Sequence, residues 1–284
     1  MLRNEAHRRN HCHENFHLSI NTLYRNLNSP RRNRLLSDDP TALPLLDPFY
    51  PCFPDPEAAL TDPDGLLAIG GNLAAPTLLD AYRHGVFPWY EQGQPILWWS
   101  PSVRAVLLPG TEHVGRTMAK VLARNDFTIT ADRAFDQVID ACAAPRAGAR
   151  GTWITPAMKG AYRRLHRLGH AHSLECWHRG ELAGGLYGVH IGSCFCGESM
   201  FSCEPNAAKV AFITLSRTLA QRGFTLIDCQ VPNSHLDTLG VVTMPRQEFI
   251  ARLGDSRDTK LPWPGDDDFA RTCAMLGSKP SFSR

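Results

Sequence analysis

Two carboxylates and an amide stand in stretches that otherwise read as buried strands. Glu198 lies within CFCGESM (194–200), and Asp228 and Gln230 lie within FTLIDCQV (224–231). In an extended strand residues two apart share a face, so Asp228 and Gln230 would point one way and Cys229 the other. Polar groups there are costly unless they meet a partner, face a site, or reach water at a strand end. The strand pattern alone leaves those readings open. As a site, such a set is suited to holding a cation or handling a proton.

The two stretches are joined by a polar turn (202–206) and an amphipathic helix expected at about 207–221. Upstream, a helix at about 76–84 has Pro76 in its first turn, Leu78, Leu79 and Tyr82 on an apolar face, and Gly85 at its end. A strand is expected at 104–108 and a helix at about 114–124, with Arg116, Lys120 and Arg124 on one face. Strand 127–130, helix 135–143 and a loop to residue 150 follow. A helix at about 156–168 is opened by Thr155 and closed by Gly169. Strands at 172–177 and 182–189 lead into the central stretch. After it come a loop (232–240) and a last short helix (246–253). This order predicts an α+β fold with a mixed sheet rather than strict βαβ repetition. The expected division is an extension (1–45), a small N-terminal domain (46–103), a larger domain (104–255) and a C-terminal tail (256–284).

With 284 residues, 43% apolar and 20% charged, the chain can bury a full core and is not disordered. No apolar run approaches the ~20 residues of a membrane span. The basic N-terminus lacks the ~7–15-residue apolar core of a secretory signal. The nine cysteines are odd in number and several lie in apolar strands, which predicts free buried thiols in a reducing cytoplasm. Cys194, Cys196 and Cys203 lack zinc-site spacing, and no metal is expected. The net charge of +2 conceals +5 in residues 1–35 (seven Arg, two Glu), leaving −3 elsewhere. A nucleic-acid partner would therefore have to use local patches. The extension, with His7, His11, His13 and His17, reads as a solvated flexible segment, with a metal tract or an RNA-touching arm as alternatives.

Six strings, in order, resemble the leucyl/phenylalanyl-tRNA–protein transferase family. They are GLLAIGGNL (65–73), GVFPWY (85–90), ILWWSP (96–101), GTWIT (151–155), CGESMFS (196–202) and LIDCQV (226–231). Several long tryptophan-containing strings in one order are more specific than a short motif. The resemblance covers roughly residues 53–253 and implies an N-acetyltransferase-like (GNAT-like) fold for the larger domain. It implies transfer of Leu or Phe, and Met less well, from aminoacyl-tRNA to the α-amine of proteins beginning with Lys or Arg. Such transfer marks them for N-degron (N-end rule) degradation. A cytoplasmic monomer without a cofactor is implied, since the ester carries the energy.

That reaction is aminolysis of an activated ester. The α-amine has a pKa of ~7.7–8.0, so roughly a tenth is neutral at pH 7. Holding amine and ester together can supply up to ~7–11 kcal/mol. Positioning and electrostatics should dominate, with proton handling secondary. The resemblance gives Asp228 and Gln230 a proton-relay role. An ordinary Asp (pKa ~3.9) is a poor base for an ammonium. Asp228 is therefore either a base raised by burial or an anion that orients the amine through Gln230. Glu198 is assigned to acceptor or aminoacyl recognition. The implied aminoacyl pocket is Leu186, Phe195, Met200, Phe212, Leu215 and Ile227. Some members carry Met at the position of Leu186, and a methylene discriminates by only ~1–3 kcal/mol. Trp89 is implied at the terminal adenosine of the tRNA, joined by Trp153, and Arg116 and Lys120 at the acceptor stem.

Three other classes compete less well. An acyl-CoA-dependent N-acyltransferase would want a glycine-rich pyrophosphate loop where this chain has FSCEPNAAK. A serine hydrolase would want Ser199 in G-x-S-x-G. A non-catalytic tRNA-binding protein would not need Glu198, Asp228 and Gln230 together.

Overall fold

Prolines 44, 48, 51, 54, 56 and 63 hold the first described segment extended and keep its strands short. In the computed structural model, which describes residues 43–145 and 152–277, four such strands form a sheet. They are β1 (Leu45–Leu46), β2 (Leu66–Gly70), β3 (Phe87–Pro88) and β4 (Leu97–Trp99), in the order β1-β2-β4-β3, with β1 parallel to β2 and the rest antiparallel. Trp98 and Trp99 are fully buried. Buried indoles need acceptors. Trp98 Nε1 donates to the Gly70 carbonyl at 2.9 Å and Trp99 Nε1 to that of Trp89 at 2.7 Å. This unit comprises the described residues up to Asn72 together with Val86–Ser102.

The second unit comprises Leu73–Gly85 and the described residues from Val103 onward. Its first element is α1 (Ala75–Arg83), in which Tyr82 is fully buried, and Gly85 just after it lies against Phe249 and Ile250. Seven strands follow: β5 (Val103–Leu107), β6 (Phe127–Ala131), β7 (Ala171–His178), β8 (Glu181–Ile191), β9 (Cys194–Ser202), β10 (Leu226–Gln230) and β11 (Val242–Pro245). They form a mixed sheet in the order β11-β5-β10-β9-β8-β7-β6, and β9–β10 is its parallel pair. A parallel pair needs a crossover. α5 (Ala207–Gln221) supplies it, with eleven of its fifteen residues buried. A Cβ on Gly184 of β8 would lie 2.7 Å from Ala207 Cβ, so glycine lets the start of α5 approach the sheet.

Leu186 and Tyr187 are neighbours on β8 and so mark the two faces of the sheet. Leu186 joins an apolar cluster with Leu174, Phe212, Leu215 and Phe269. Tyr187 packs against the rings of Phe135, from α3 (Phe135–Cys142), and Tyr162, from α4 (Pro156–Arg167). α2 (Arg116–Arg124) buries Met118 and Leu122 in the Leu186 cluster. The expected loop after β10 contains one helical turn, α6 (Ser234–Asp237), capped by Asn233 Oδ1. The helix expected at 246–253 continues as α7 (Arg246–Arg257).

The expected tail is not one. α8 (Asp266–Gly277) buries Phe269 fully, and Trp263 stacks on His172 with ring centroids 4.3 Å apart. Apolar residues at the helical spacing of Phe269, Cys273 and Leu276 carry this element onto the sheet. The readings made for residues 1–42 and for the loop 146–151 lie outside the described residues.

Candidate functional site

Parallel pairing of β9 with β10 lasts three residues: Leu226 opposite Cys194, Ile227 opposite Phe195, and Asp228 opposite Cys196. Both strands then deform. β9 slips register against β8 between Tyr187 and Gly188, leaving Glu198 as the extra residue. A Cβ on Gly188 would meet the Cys196 carbonyl at 2.2 Å, so this bulge requires glycine. β10 slips against β5 between Asp228 and Gln230, and Gln230 is left-handed at φ +63°. The expected simple alternation of Asp228 and Gln230 on one face therefore fails. The Gln230 N–H donates to Asp228 Oδ1 at 2.8 Å, a local bond that accompanies the slip. Nor is this a wet strand end: Asp228 is 0% exposed and Gln230 9%.

Beyond the separation the strands are rejoined by side chains. Gln230 Nε2 donates to Glu198 Oε1 at 2.6 Å. The Tyr82 hydroxyl, from α1, donates to the same oxygen at 2.7 Å, and the Tyr162 hydroxyl, from α4, to Oε2 at 2.7 Å. The two phenol oxygens are 2.5 Å apart. Three oxygen–oxygen contacts thus close a ring, while two phenols supply only two protons. The third hydrogen bond is made when Glu198 carries a proton of its own. Electrostatics agree with that count. Burial is the largest influence and pushes the Glu198 carboxyl up, the Tyr82, Tyr162 and Gln230 donors pull it back, and Asp228 nearby pushes it up; the result is about 7.

Asp228 is held differently. Arg104, from β5, donates through Nε to Oδ1 at 2.8 Å and through Nη2 to Oδ2 at 2.7 Å. Both side chains are 1% exposed, and the guanidinium carbon lies 4.4 Å from the centre of the Phe249 ring. The result is one carboxyl able to titrate near neutrality beside one clamped by a fixed cation.

Comparison with known proteins divides the chain near residue 103 and counts α1 with the N-terminal part. Residues 106–254 match the family model for leucyl/phenylalanyl-tRNA protein transferase, and residues 71–102 the model for its N-terminal domain. A leucyl/phenylalanyl-tRNA–protein transferase of Aeromonas hydrophila subsp. hydrophila is 53% identical over 211 residues, covering 74% of this chain and 90% of that protein. One from Azotobacter vinelandii is 57% identical over 197 residues, covering 69% and 87%. The chain belongs to this family. It is an aminoacyltransferase.

The family's implied pocket residues also come together. Leu186, Phe195, Phe212, Leu215 and Ile227 are buried in one apolar cluster, with Met200 half-buried against it. Trp263 abuts Phe195, ring centroids 5.2 Å apart, from a segment beyond the matched span. Trp89 is half-buried in the first unit and Trp153 half-buried in the second. Arg116 and Lys120 are exposed on α2, whose other side buries Met118 and Leu122.

Three residues of the network escaped the sequence reading. Arg104 in VRAVLL carries the same signal as Asp228, a charge inside an apolar strand. Tyr82 had been read only as part of an apolar helix face. Tyr162 lies in AYRRLH among basic residues, and nothing local marks its hydroxyl as buried.

Proposed function

We propose that the chain moves leucine or phenylalanine, and methionine less well, from aminoacyl-tRNA to the α-amine of proteins whose first residue is Lys or Arg, marking them for degradation by the N-degron route. The observation that carries this reading is the Gln230–Glu198 bond across the separated strands, with a carboxyl titrating at about 7 at its end. The acceptor ammonium, at ~7.7–8.0, is closely matched to such a base.

In this reading the ester lies at the opening between β9 and β10. Its side chain reaches the apolar cluster of Leu186, Phe195, Met200, Phe212, Leu215 and Ile227. The α-ammonium gives a proton to Glu198, and the free amine attacks the ester carbonyl. The new C–N bond forms as the C–O bond to the ribose breaks, the 3′ oxygen takes the second proton of the attacking nitrogen, and Glu198 passes the first to solvent. Gln230 orients the reacting groups, and Asp228 serves as an anion that orients rather than as the base. Glu198 also recognises the cationic acceptor. Trp89 stacks on the terminal adenosine, the role the resemblance gives it, and Arg116 and Lys120 meet the acceptor-stem phosphates. The accompanying fold reading is N-acetyltransferase-like, supported by a parallel pair that separates after a helix crossover within an otherwise antiparallel sheet. A cytoplasmic monomer needing no cofactor or metal completes it. No helix among the described residues is long and apolar enough to cross a membrane.

The test is transfer of labelled leucine from charged tRNA to a peptide beginning with Arg and to one beginning with Ala, using wild type and Asp228→Ala. Transfer to the Arg peptide alone, lost in the variant, is expected. Equal transfer to the Ala peptide overturns the acceptor assignment. Tight tRNA binding without transfer to either peptide overturns the reaction.

A further inference from the structure

We propose that Arg104 is a positioning residue of the transfer reaction: by clamping both oxygens of Asp228 it fixes the left-handed turn at Gln230, and through that turn the amide presented to Glu198. The inference rests on the functional reading above and extends it to a residue on a third strand.

Arg104 stands on β5, whose Val106 and Ala105 pair with Asp228 and Gln230. Its fork takes one Asp228 oxygen with Nε and the other with Nη2, while Phe249 covers its flat face. A carboxylate gripped on both oxygens and fully buried has no freedom to turn toward a substrate proton. Its Oδ1 is also engaged by the Gln230 backbone N–H. That bond holds an L-residue at φ +63°, where side chains rarely sit without support. Removing the cation leaves a buried carboxylate that is driven to take a proton and to release its donors. Gln230 would then revert toward an extended strand, swinging its amide away from Glu198. Arg104 and Asp228 thus hold the geometry, Gln230 transmits it, and Glu198, whose own contacts are the neutral donors Tyr82, Tyr162 and Gln230, carries the proton.

The test compares Arg104→Met, Asp228→Asn, the double variant and Arg104→Lys. It reads kcat/KM between pH 6 and 9 and hydrogen exchange across residues 226–231. Each single charge removal should cost about 10²-fold, the scale of an ångström-sized misplacement. The double variant should recover at least about tenfold over either single, because Asn still accepts the Gln230 N–H and no unpaired charge is buried. In Arg104→Met the pH profile should move upward, since Gln230 no longer favours ionised Glu198, and the Gln230 amide should exchange faster. Arg104→Lys keeps the charge but offers no fork. It should be intermediate, and with the double variant it carries the test if Arg104→Met does not fold. A double variant as inactive as Asp228→Asn shows that the charge itself is used and overturns the proposal. So does an Arg104→Met whose rate falls in parallel at every pH with the Gln230 amide still protected. A wild type that transfers nothing sinks the functional reading instead, and the exchange data still decide whether Arg104 holds the turn.

Discussion

Replacing Tyr82 by Phe removes one hydroxyl from the ring around Glu198 and leaves its packing largely in place. Tyr82 donates to Glu198 Oε1 at 2.7 Å in a fully buried setting. A hydrogen bond to a charged group contributes about 1.5–3 kcal/mol. At 1.36 kcal/mol per pKa unit, its loss should raise the carboxyl from about 7 by roughly 1–2 units. At pH 7 about half of wild-type Glu198 is ionised, against roughly 1–10% in the variant. The transfer rate should therefore fall roughly 5- to 50-fold at pH 7 and recover as the pH is raised. Initial rates of leucine transfer from charged tRNA to an Arg-terminated peptide, measured from pH 6 to 9, provide the assay. The acceptor amine and the slow loss of the ester affect both proteins alike, so the variant-to-wild-type ratio isolates Glu198. That ratio should climb with pH. A ratio that is low but flat refutes the reasoning, because it would mean that Tyr82 acts without changing the ionisation of Glu198.

Glu198 titrates at about 7 when folded, against ~4.3 when exposed, so its stabilising contribution is complete below pH ~4 and is lost as the pH rises through about 7. Denaturant unfolding should show Glu198→Gln gaining on wild type by on the order of 3 kcal/mol between pH 4 and 8; a pH-independent difference counts against a raised carboxyl. Leu215→Ala should cost about 2–5 kcal/mol by thermal or chemical unfolding. If the cluster is the aminoacyl pocket, the same variant should shift the Phe-to-Leu transfer ratio by about tenfold, and an unchanged ratio removes Leu215 from the wall. Arg116→Ala and Lys120→Ala should each lower the salt slope of aminoacyl-tRNA binding by about 1; an unaltered slope assigns this helix face to solvent.

The elements of the larger unit were legible because their patterns are local. α5 runs over the residues its apolar spacing predicted, and Thr155 caps α4 through its hydroxyl, accepting from the Met158 N–H. What was not legible depends on partners distant in sequence. Asp228 reads as a strand residue with Gln230 on the same face, yet a clamp from Arg104, 124 positions upstream, accompanies a break in that strand. The Tyr82 and Tyr162 hydroxyls are 116 and 36 residues from Glu198, and their helices look amphipathic in the ordinary way. α8 was missed because it lies beyond the strings that carry the resemblance; its first turn holds three aspartates, Asp266, Asp267 and Asp268. Acidic residues are suited to a helix start, and Phe269 immediately after them is the residue that buries.

Two carboxylates a few residues from one pairing site, both buried, would repel one another if both were ionised and unpaired. The fold avoids this by treating them unequally. Asp228 receives a permanent cation and a backbone donor, which engage both of its oxygens and hold it still. Glu198 receives only neutral donors, so its charge is supported weakly enough for burial to bring it to about 7. Exchanging those surroundings would make the inner carboxyl the titrating one and leave Gln230 without its anchor. The asymmetry lies in the partners and not in the acids, which is why a sequence showing one Glu and one Asp in two apolar strands did not reveal which of them titrates near neutrality.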